Sequence, residues 1–227
     1  MRFHFEATED FLKRQYEIEV LLKTAKDKQE EMFLKLSVVS LVTKFQVYIE
    51  SLLKEFQYKV QHADIKYKDL PLYMRLNSIK MDIENSALNK LLRHSKFNQD
   101  TQKKIIEYIN SIEHIVNEEK MVNENLRIKT EFPLGRTGRD ELLELFRQIE
   151  GRENIFLDDD GDEMIDLNQL DSLLLTRHLI IHQDRFNQTE NKIREYREYV
   201  EQMVLLCDSY LSNCLKQYGM IVEYKEM

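Results

Sequence analysis

Residues 33–56, FLKLSVVSLVTKFQVYIESLLKEF, contain the strongest helical pattern in the chain. Apolar side chains recur here every three or four residues, at Leu34, Val38, Leu41, Phe45, Ile49, Leu52 and Phe56. An α-helix turns once every 3.6 residues or so, and this spacing therefore collects the apolar side chains on one stripe. We predict a long helix over residues 30–62 with a continuous buried face.

The rest of the chain repeats this pattern between a few clear breaks. Helices are predicted over residues 5–27, 72–94 (after Pro71), 99–120, from an N-cap at Thr137 to Gly151, after Asp166, and 189–217. Residues 123–138 are expected to be extended. The chain has 5 Gly and 2 Pro, and the first glycine is Gly135. Because both residue types disfavour helix interiors, this scarcity predicts an all-α bundle of about six to seven helices. We expect one domain, 1–227.

Composition narrows the class of protein further. Apolar residues make up 42% and charged residues 33% of the chain, which is typical of a globular protein. The net charge of −8 disfavours a protein that coats nucleic acid through bulk charge. The apolar run LSVVSLV is far shorter than the roughly 20 residues of a membrane span, and the N-terminus has no apolar signal region. We predict no membrane contact.

The two cysteines indicate the compartment. Cys207 and Cys214 lie seven residues apart in a predicted helix, which separates their Cα atoms by roughly 10 Å. That separation is too large for a disulfide bond between them. A chain without an internal disulfide is typical of a reducing environment, and we predict a cytoplasmic protein.

Two patterns in the sequence partly match metal sites. If Gly161 of the acidic loop is placed at position 6 of an EF-hand, Phe156 and Leu167 stand where the first and last ligands should be. His178 and His182 share a helix face and could bind one metal ion, but Leu179 stands where a metalloprotease has glutamate. We therefore predict neither a metal nor a cofactor.

The stretch Thr176–Arg185, TRHLIIHQDR, places cationic and titratable groups beside an apolar run. An arginine and a histidine in a helix commonly form a salt bridge and a hydrogen-bonded, partly buried imidazole. The alternative is a catalytic pair, because an imidazole titrates near neutral pH and an arginine is a permanent cation. Such a pair can move a proton and stabilise charge at a phosphodiester. Arg177 and His182 are the candidates.

Arg177–His182 resembles the Arg-(polar)-x-x-x-His signature of HEPN domains, which are all-α modules common in prokaryotic toxins and defence systems. The lead-in LNQLDSLLLTRHLIIHQ is similar to the stretch that precedes this signature in RiboL-PSP-type HEPN proteins. The helix at 33–56 resembles the long helix in which such proteins carry an aromatic–acidic pair. The segment GRTGRDELLELFRQIEG, a loop followed by a helix, has the matching place in the order of elements along the chain.

The resemblance implies a metal-independent endoribonuclease with Arg177 and His182 as catalytic residues. His182 would transfer protons at the ribose 2′-hydroxyl or the leaving 5′-oxygen, and Arg177 would orient the scissile phosphate. His178 fills the polar position of the signature. Gln46 stands where relatives have the acidic residue, and Glu50, one turn later, could replace it. Asp184 stands where some HEPN toxins have tyrosine.

The resemblance also implies partners. We expect an RNA substrate, a homodimer in which two Arg/His pairs face one cleft, and an antitoxin or defence-system partner protein. The alternative is a non-catalytic helical module that binds RNA, a nucleotide or a protein through the same cleft, and Gln46 in place of an acid favours it.

Overall fold

A computed structural model describes residues 2–85, 103, 106, 117–133, 138–222 and 225–226 of the chain. These described residues contain seven α-helices. They are α1 (Glu6–Lys13), α2 (Tyr16–Lys28), α3 (Glu31–Gln61), α4 (Leu72–Asn85), α5 (Gly138–Glu150), α6 (Asn168–Gln183) and α7 (Glu190–Gln217). A single 3₁₀ turn, Tyr67–Asp69, precedes α4, and strands β1 (Arg2–Phe3) and β2 (Lys225–Glu226) pair antiparallel. The predicted all-α fold is confirmed.

Helix α3 is the centre of the bundle and packs against α1, α2, α6 and α7. Its buried face includes most of the predicted stripe: Val38, Leu41, Phe45, Ile49, Leu52 and Phe56 are all fully buried. Among the described helices, α3 is long and apolar enough to cross a membrane, judged by length and composition. Burial of this face in the bundle core gives its apolar character a sufficient physical reason.

Most predicted helix ends agree with the structure, and one prediction differs. The helix predicted over 5–27 is two helices, because the chain turns at Arg14 and Gln15 before α2 begins. Gly151 ends α5 as expected, with a φ of 80° that suits glycine. Thr189 caps α7 by accepting a hydrogen bond from the Lys192 N–H. The predicted helix at 99–120, the end of that at 72–94, and Thr137 lie largely or wholly outside the described residues.

An extended strap, residues 122–132, crosses the bundle between α3 and α5. Polar side chains of both helices form hydrogen bonds with the backbone of the strap, as a neighbouring strand would. Gln57 accepts from the Ile128 N–H, Gln61 donates to the Leu126 carbonyl, and Gln148 of α5 both accepts from and donates to Lys129. The predicted extended, loop-like stretch at 123–138 is without helix or strand as far as Pro133, and it includes a turn at Glu124 and Asn125.

The N-terminal segment is bound to α7 through Asp208. This buried carboxylate accepts hydrogen bonds from the His4 and Phe5 backbone N–H groups and from the Thr8 hydroxyl, and it also contacts the His4 ring. Phe5 is fully buried beside it. Asp208 thus accepts hydrogen bonds from the N–H groups of the N-cap residue Phe5, which a helix cannot satisfy internally, and of His4 just before it.

Two contacts position α6. Gly138 begins α5 against α6, where a Cβ atom would lie 2.0 Å from Leu174 Cδ1 and would displace the end of that side chain. The Ser172 and Tyr196 hydroxyls are hydrogen-bonded over 2.8 Å and join α6 to α7. Helix α6 is therefore supported on both sides by neighbouring helices.

Candidate active site

Helix α6 carries Arg177, His178 and His182 in its last two turns. Its inner face is buried in the core through Leu170, Leu173, Leu174 and Thr176. Arg177 and His178 are half-buried, and His182 is exposed. Within TRHLIIHQDR, Leu179 and Ile180 are half-buried and Ile181 is exposed, so this apolar run lies partly on the surface beside the polar groups.

Arg177 is held close to the protein surface with part of its guanidinium shielded from solvent. Its Nε atom is buried and has no hydrogen-bond partner within the described part of the chain. The same part of the chain supplies no ion pair to Arg177. Within the described residues, Arg177 therefore does not form the salt bridge that is common for an arginine in a helix. The N–H donors of its guanidinium suit an anionic ligand.

The two histidines form a contiguous imidazole surface. The rings of His178 and His182 have centroids 4.5 Å apart and planes inclined by 45°. This contact follows from their spacing of four residues, which places one side chain above the other on the same helix face. His178 therefore lies beside the candidate catalytic histidine, as its position in the signature predicts.

Arg177 and His182 flank this surface without stacking on each other. Five positions correspond to about 140° around a helix and a rise of about 7.5 Å along it. One chain therefore presents the two groups at the two edges of one face of α6.

Asp184, the C-cap residue of α6, forms an ion pair with the central helix α3. Asp184 takes a left-handed conformation with φ 49°, and the Leu179 carbonyl accepts from the Asp184 and Arg185 N–H groups. Lys35 of α3 donates to Asp184 Oδ1 over 2.8 Å. The ammonium lowers the pKa of the Asp184 carboxyl, and hydrogen bonds to Asp184 and Glu31 raise the pKa of Lys35. Sequence reasoning missed Lys35, since 149 residues separate it from Asp184.

Gln46 and Glu50 bind the strap. The Gln46 amide donates to the Phe132 carbonyl over 3.0 Å and to Glu50 Oε1, and Glu50 Oε1 also accepts from the Phe132 N–H over 3.2 Å. Together they pair with both backbone groups of one residue, as a neighbouring strand would. These contacts assign both residues a structural task, and a supporting role in catalysis stays a prediction.

The acidic loop between α5 and α6 stabilises its own turn. Asp158 Oδ1 accepts from the Asp160 and Asp162 N–H groups, and Gly161 has a φ of 87°. No group of three or more His, Cys, Asp or Glu side chains suitable for a metal ion occurs in the described residues. The loop has the local hydrogen bonds of an Asx turn.

The RiboL-PSP-HEPN family model matches residues 9–213 of this chain. The chain belongs to the RiboL-PSP-HEPN family. The match extends from α1 to α7 and so includes the long central helix, the strap and α6. Membership of this HEPN family points to a nuclease or another RNA-related module. Searches of the curated proteins and of the solved structures found no match to this chain.

Proposed function

We propose that this HEPN protein is a metal-independent endoribonuclease in which Arg177 and His182 are the catalytic residues. The observation that carries the proposal is the half-buried guanidinium of Arg177, whose Nε has no partner in the described residues, on the same helix as an exposed imidazole. Such an arginine is held ready for an anion, and a phosphodiester is the anion of the family's substrate class.

The chemistry needs only these two side chains and the substrate. His182 accepts the proton of the ribose 2′-hydroxyl, and the 2′-oxygen then attacks the adjacent phosphorus. The bond from phosphorus to the 5′-oxygen breaks as that oxygen takes up a proton from water, and His182 returns the proton that it accepted to the solvent. Arg177 neutralises charge that develops on the non-bridging oxygens. The products are a 2′,3′-cyclic phosphate and a 5′-hydroxyl.

A homodimer is proposed because the two groups are offset on one chain and because apolar side chains adjoin them. Ile181 follows Arg177 by four residues and is 46% exposed; Leu175 precedes His182 by seven and is 53% exposed. Each catalytic candidate thus has an exposed apolar neighbour on its own face of α6, which suits a protein interface. A second copy would bring a second Arg/His pair to the same phosphate.

The biological role we propose is that of a toxin or effector in antiphage defence or in a toxin–antitoxin system, with an inhibitory partner protein and a cytoplasmic location. A helical module that binds RNA, a nucleotide or a protein without turnover is the second candidate. The observation that favours it is the engagement of Gln46 with the strap at the place where relatives carry an acid.

Cleavage in the presence of a chelator separates these functions. We expect the purified protein to cut total RNA in EDTA, and His182→Ala and Arg177→Ala each to lose activity by about 10²-fold or more. Gln183→Ala, an exposed neighbour on the same helix, serves as the matched control and should retain activity. Equal cleavage by all four proteins would refute the catalytic role of Arg177 and His182. No cleavage by the wild type, together with RNA binding that needs Arg177, would favour the binding module.

A further inference from the structure

A cavity of about 310 Å³ lies between the turn from α2 to α3 and the connection from α6 to α7. It adjoins the candidate catalytic end of α6, because Phe186, which lines it, follows His182 by four residues, and four residues span at most about 14 Å. Lys35 provides a second link, since it pairs with Asp184 and, over 3.1 Å, with Glu31 of the cavity wall. The cavity is therefore within reach of a nucleotide that neighbours the scissile phosphate.

Part of the cavity lining is apolar and includes an aromatic ring. Ala25 is buried, and Leu34 and Phe186 are half-buried and pack against the core. Packing against the core holds the Phe186 ring while part of it stays accessible from the cavity. Aromatic rings in such positions stack on the unpaired bases of single-stranded RNA.

The polar groups of the wall supply hydrogen-bond acceptors beside a donor. The Gln188 amide donates to Asn187 Oδ1 over 3.1 Å, which leaves the Asn187 amide N–H groups and Gln188 Oε1 for a ligand. Glu30, the N-cap residue of α3, makes no side-chain capping hydrogen bond, so its carboxylate is a further acceptor. Adenine and cytosine carry an amino group beside a ring-nitrogen acceptor, and amide and carboxylate side chains are common partners of these groups.

The charges of the wall favour a base over a phosphate group. Among the described residues that line the cavity, three carboxylates face one ammonium; they belong to Glu30, Glu31, Glu190 and Lys26. Glu31 and Glu190 are paired with neighbouring cations, so Glu30 is the carboxylate left for a ligand. A carboxylate repels a phosphate but accepts a hydrogen bond from an amino group. Uracil presents a carbonyl oxygen in place of that amino group and would not be accepted.

We propose that this cavity is a nucleobase subsite that binds an unpaired adenine or cytosine next to the cleavage site. Phe186 stacks on the base, Glu30 and Gln188 accept hydrogen bonds from its amino group, and Asn187 donates to its ring nitrogen. The place of the subsite in the reaction rests on the proposed nuclease function, whereas binding of the base does not. The subsite makes these side chains the determinants of where RNA is cut.

The test measures binding first, with labelled 2′-deoxy oligonucleotides that lack the attacking oxygen. Fluorescence anisotropy should show that oligomers of adenine or cytosine bind the wild type about tenfold more tightly than oligomers of uracil. Phe186→Leu keeps an apolar contact with the core and should weaken binding of the preferred oligomer by roughly tenfold, because stacking is lost. Glu30→Gln should reduce the preference over uracil by about fivefold. Glu198→Gln, at an exposed position of α7, is the matched control and should bind like the wild type.

Equal affinity of the wild type for all three oligomers would overturn the subsite, and so would wild-type binding by folded Phe186→Leu and Glu30→Gln, with folding checked by thermal melting. Mapping of the cut positions in RNA is the second measurement, and adenine or cytosine should flank them. A protein that shows the binding preference but never cuts RNA would support the subsite and refute the nuclease. Cleavage without preference for a flanking base, together with equal binding of the oligomers, would do the reverse.

Discussion

Lys35 and Asp184 form an ion pair over 2.8 Å that joins the first turns of α3 to the end of α6. Asp184 also has a left-handed backbone at φ 49°, which most residues other than glycine, asparagine and aspartate avoid. One residue therefore both ends the helix of His182 and binds it to the central helix. The contact lies on the surface and links the candidate catalytic end of α6 to α3.

Substitutions at Asp184 should separate its two contributions. Asp184→Gly removes the ion pair but relieves the left-handed backbone, whereas Asp184→Ala removes the pair and keeps the strain. We expect Asp184→Ala to melt a few degrees below Asp184→Gly. Asp184→Asn, which tolerates the same backbone, should fall between wild type and Ala. A calorimetric ranking with Ala above Gly would contradict this assignment.

A single deoxynucleotide should reveal the nucleophile of the proposed reaction. An RNA with a 2′-deoxy sugar on the 5′ side of one cleavage site should not be cut there, because it lacks the attacking oxygen. Neighbouring sites in the same molecule act as the internal control and should be cut at their usual rate. Gel electrophoresis of end-labelled RNA shows which positions are cut. Cleavage at the modified position would exclude attack by the 2′-hydroxyl.

Gln148 should contribute strongly to stability through the strap. It accepts from the Lys129 N–H and donates to the Lys129 and Leu145 carbonyls, and it is 7% exposed. Gln148→Leu removes the partner of both Lys129 backbone groups, so the free energy of unfolding in urea should fall by about 1–3 kcal/mol. Gln202→Leu, at an exposed position of α7, is the matched control and should change stability by about 0.5 kcal/mol or less. Equal stability of the two variants would refute the role of the strap contacts.

Asp208 should be essential for ordering the N-terminal segment. Asparagine at this position keeps one acceptor oxygen but loses the charge and the second oxygen, which together serve two backbone N–H groups and the Thr8 hydroxyl. We expect Asp208→Asn to lower the free energy of unfolding by about 2–4 kcal/mol. Hydrogen exchange at the Phe5 amide provides the local measurement, and an unchanged exchange rate would contradict it.

Alkaline pH should destabilise the protein through its buried thiols and phenols. Burial raises the pKa of Cys214 to about 12 and raises the pKa values of Cys207, Tyr199, Tyr210 and Tyr218. In the unfolded chain these groups ionise from their ordinary values of 9.0 and 10.0. Their stabilising contribution is therefore complete below pH 9 and is lost as pH rises towards the folded-state values.

The free energy of unfolding, measured by urea titration from pH 8 to pH 11, should fall steeply above pH 9 to 10, by about 1.4 kcal/mol per pH unit for each group still neutral in the folded state. Tyr218→Phe removes one such group and should reduce the slope. Tyr16→Phe, at an exposed tyrosine, should leave it unchanged. The same slope in all three proteins would show that these groups do not govern alkaline unfolding.

The regular spacing of apolar residues was sufficient to predict the helices. Val38, Leu41 and Phe45 follow a spacing that only one helix face can satisfy, and α3 begins and ends within one residue of the predicted range 30–62. The break at Arg14 and Gln15 could not be predicted this way. Apolar residues at Phe11 and Ile18 keep helical spacing across it, and the turn depends on packing of α1 and α2 against α3.

By itself, the sequence determined the helical class and the family to which the chain belongs, because periodicity and a local motif are properties of neighbouring residues. Only the tertiary structure decided which residues far apart in the sequence are in contact. The pairing of Lys35 with Asp184, and of Gln46 and Glu50 with Phe132, joins residues 82 to 149 positions apart. Local spacing cannot specify such contacts, since they depend on how the helices pack around α3.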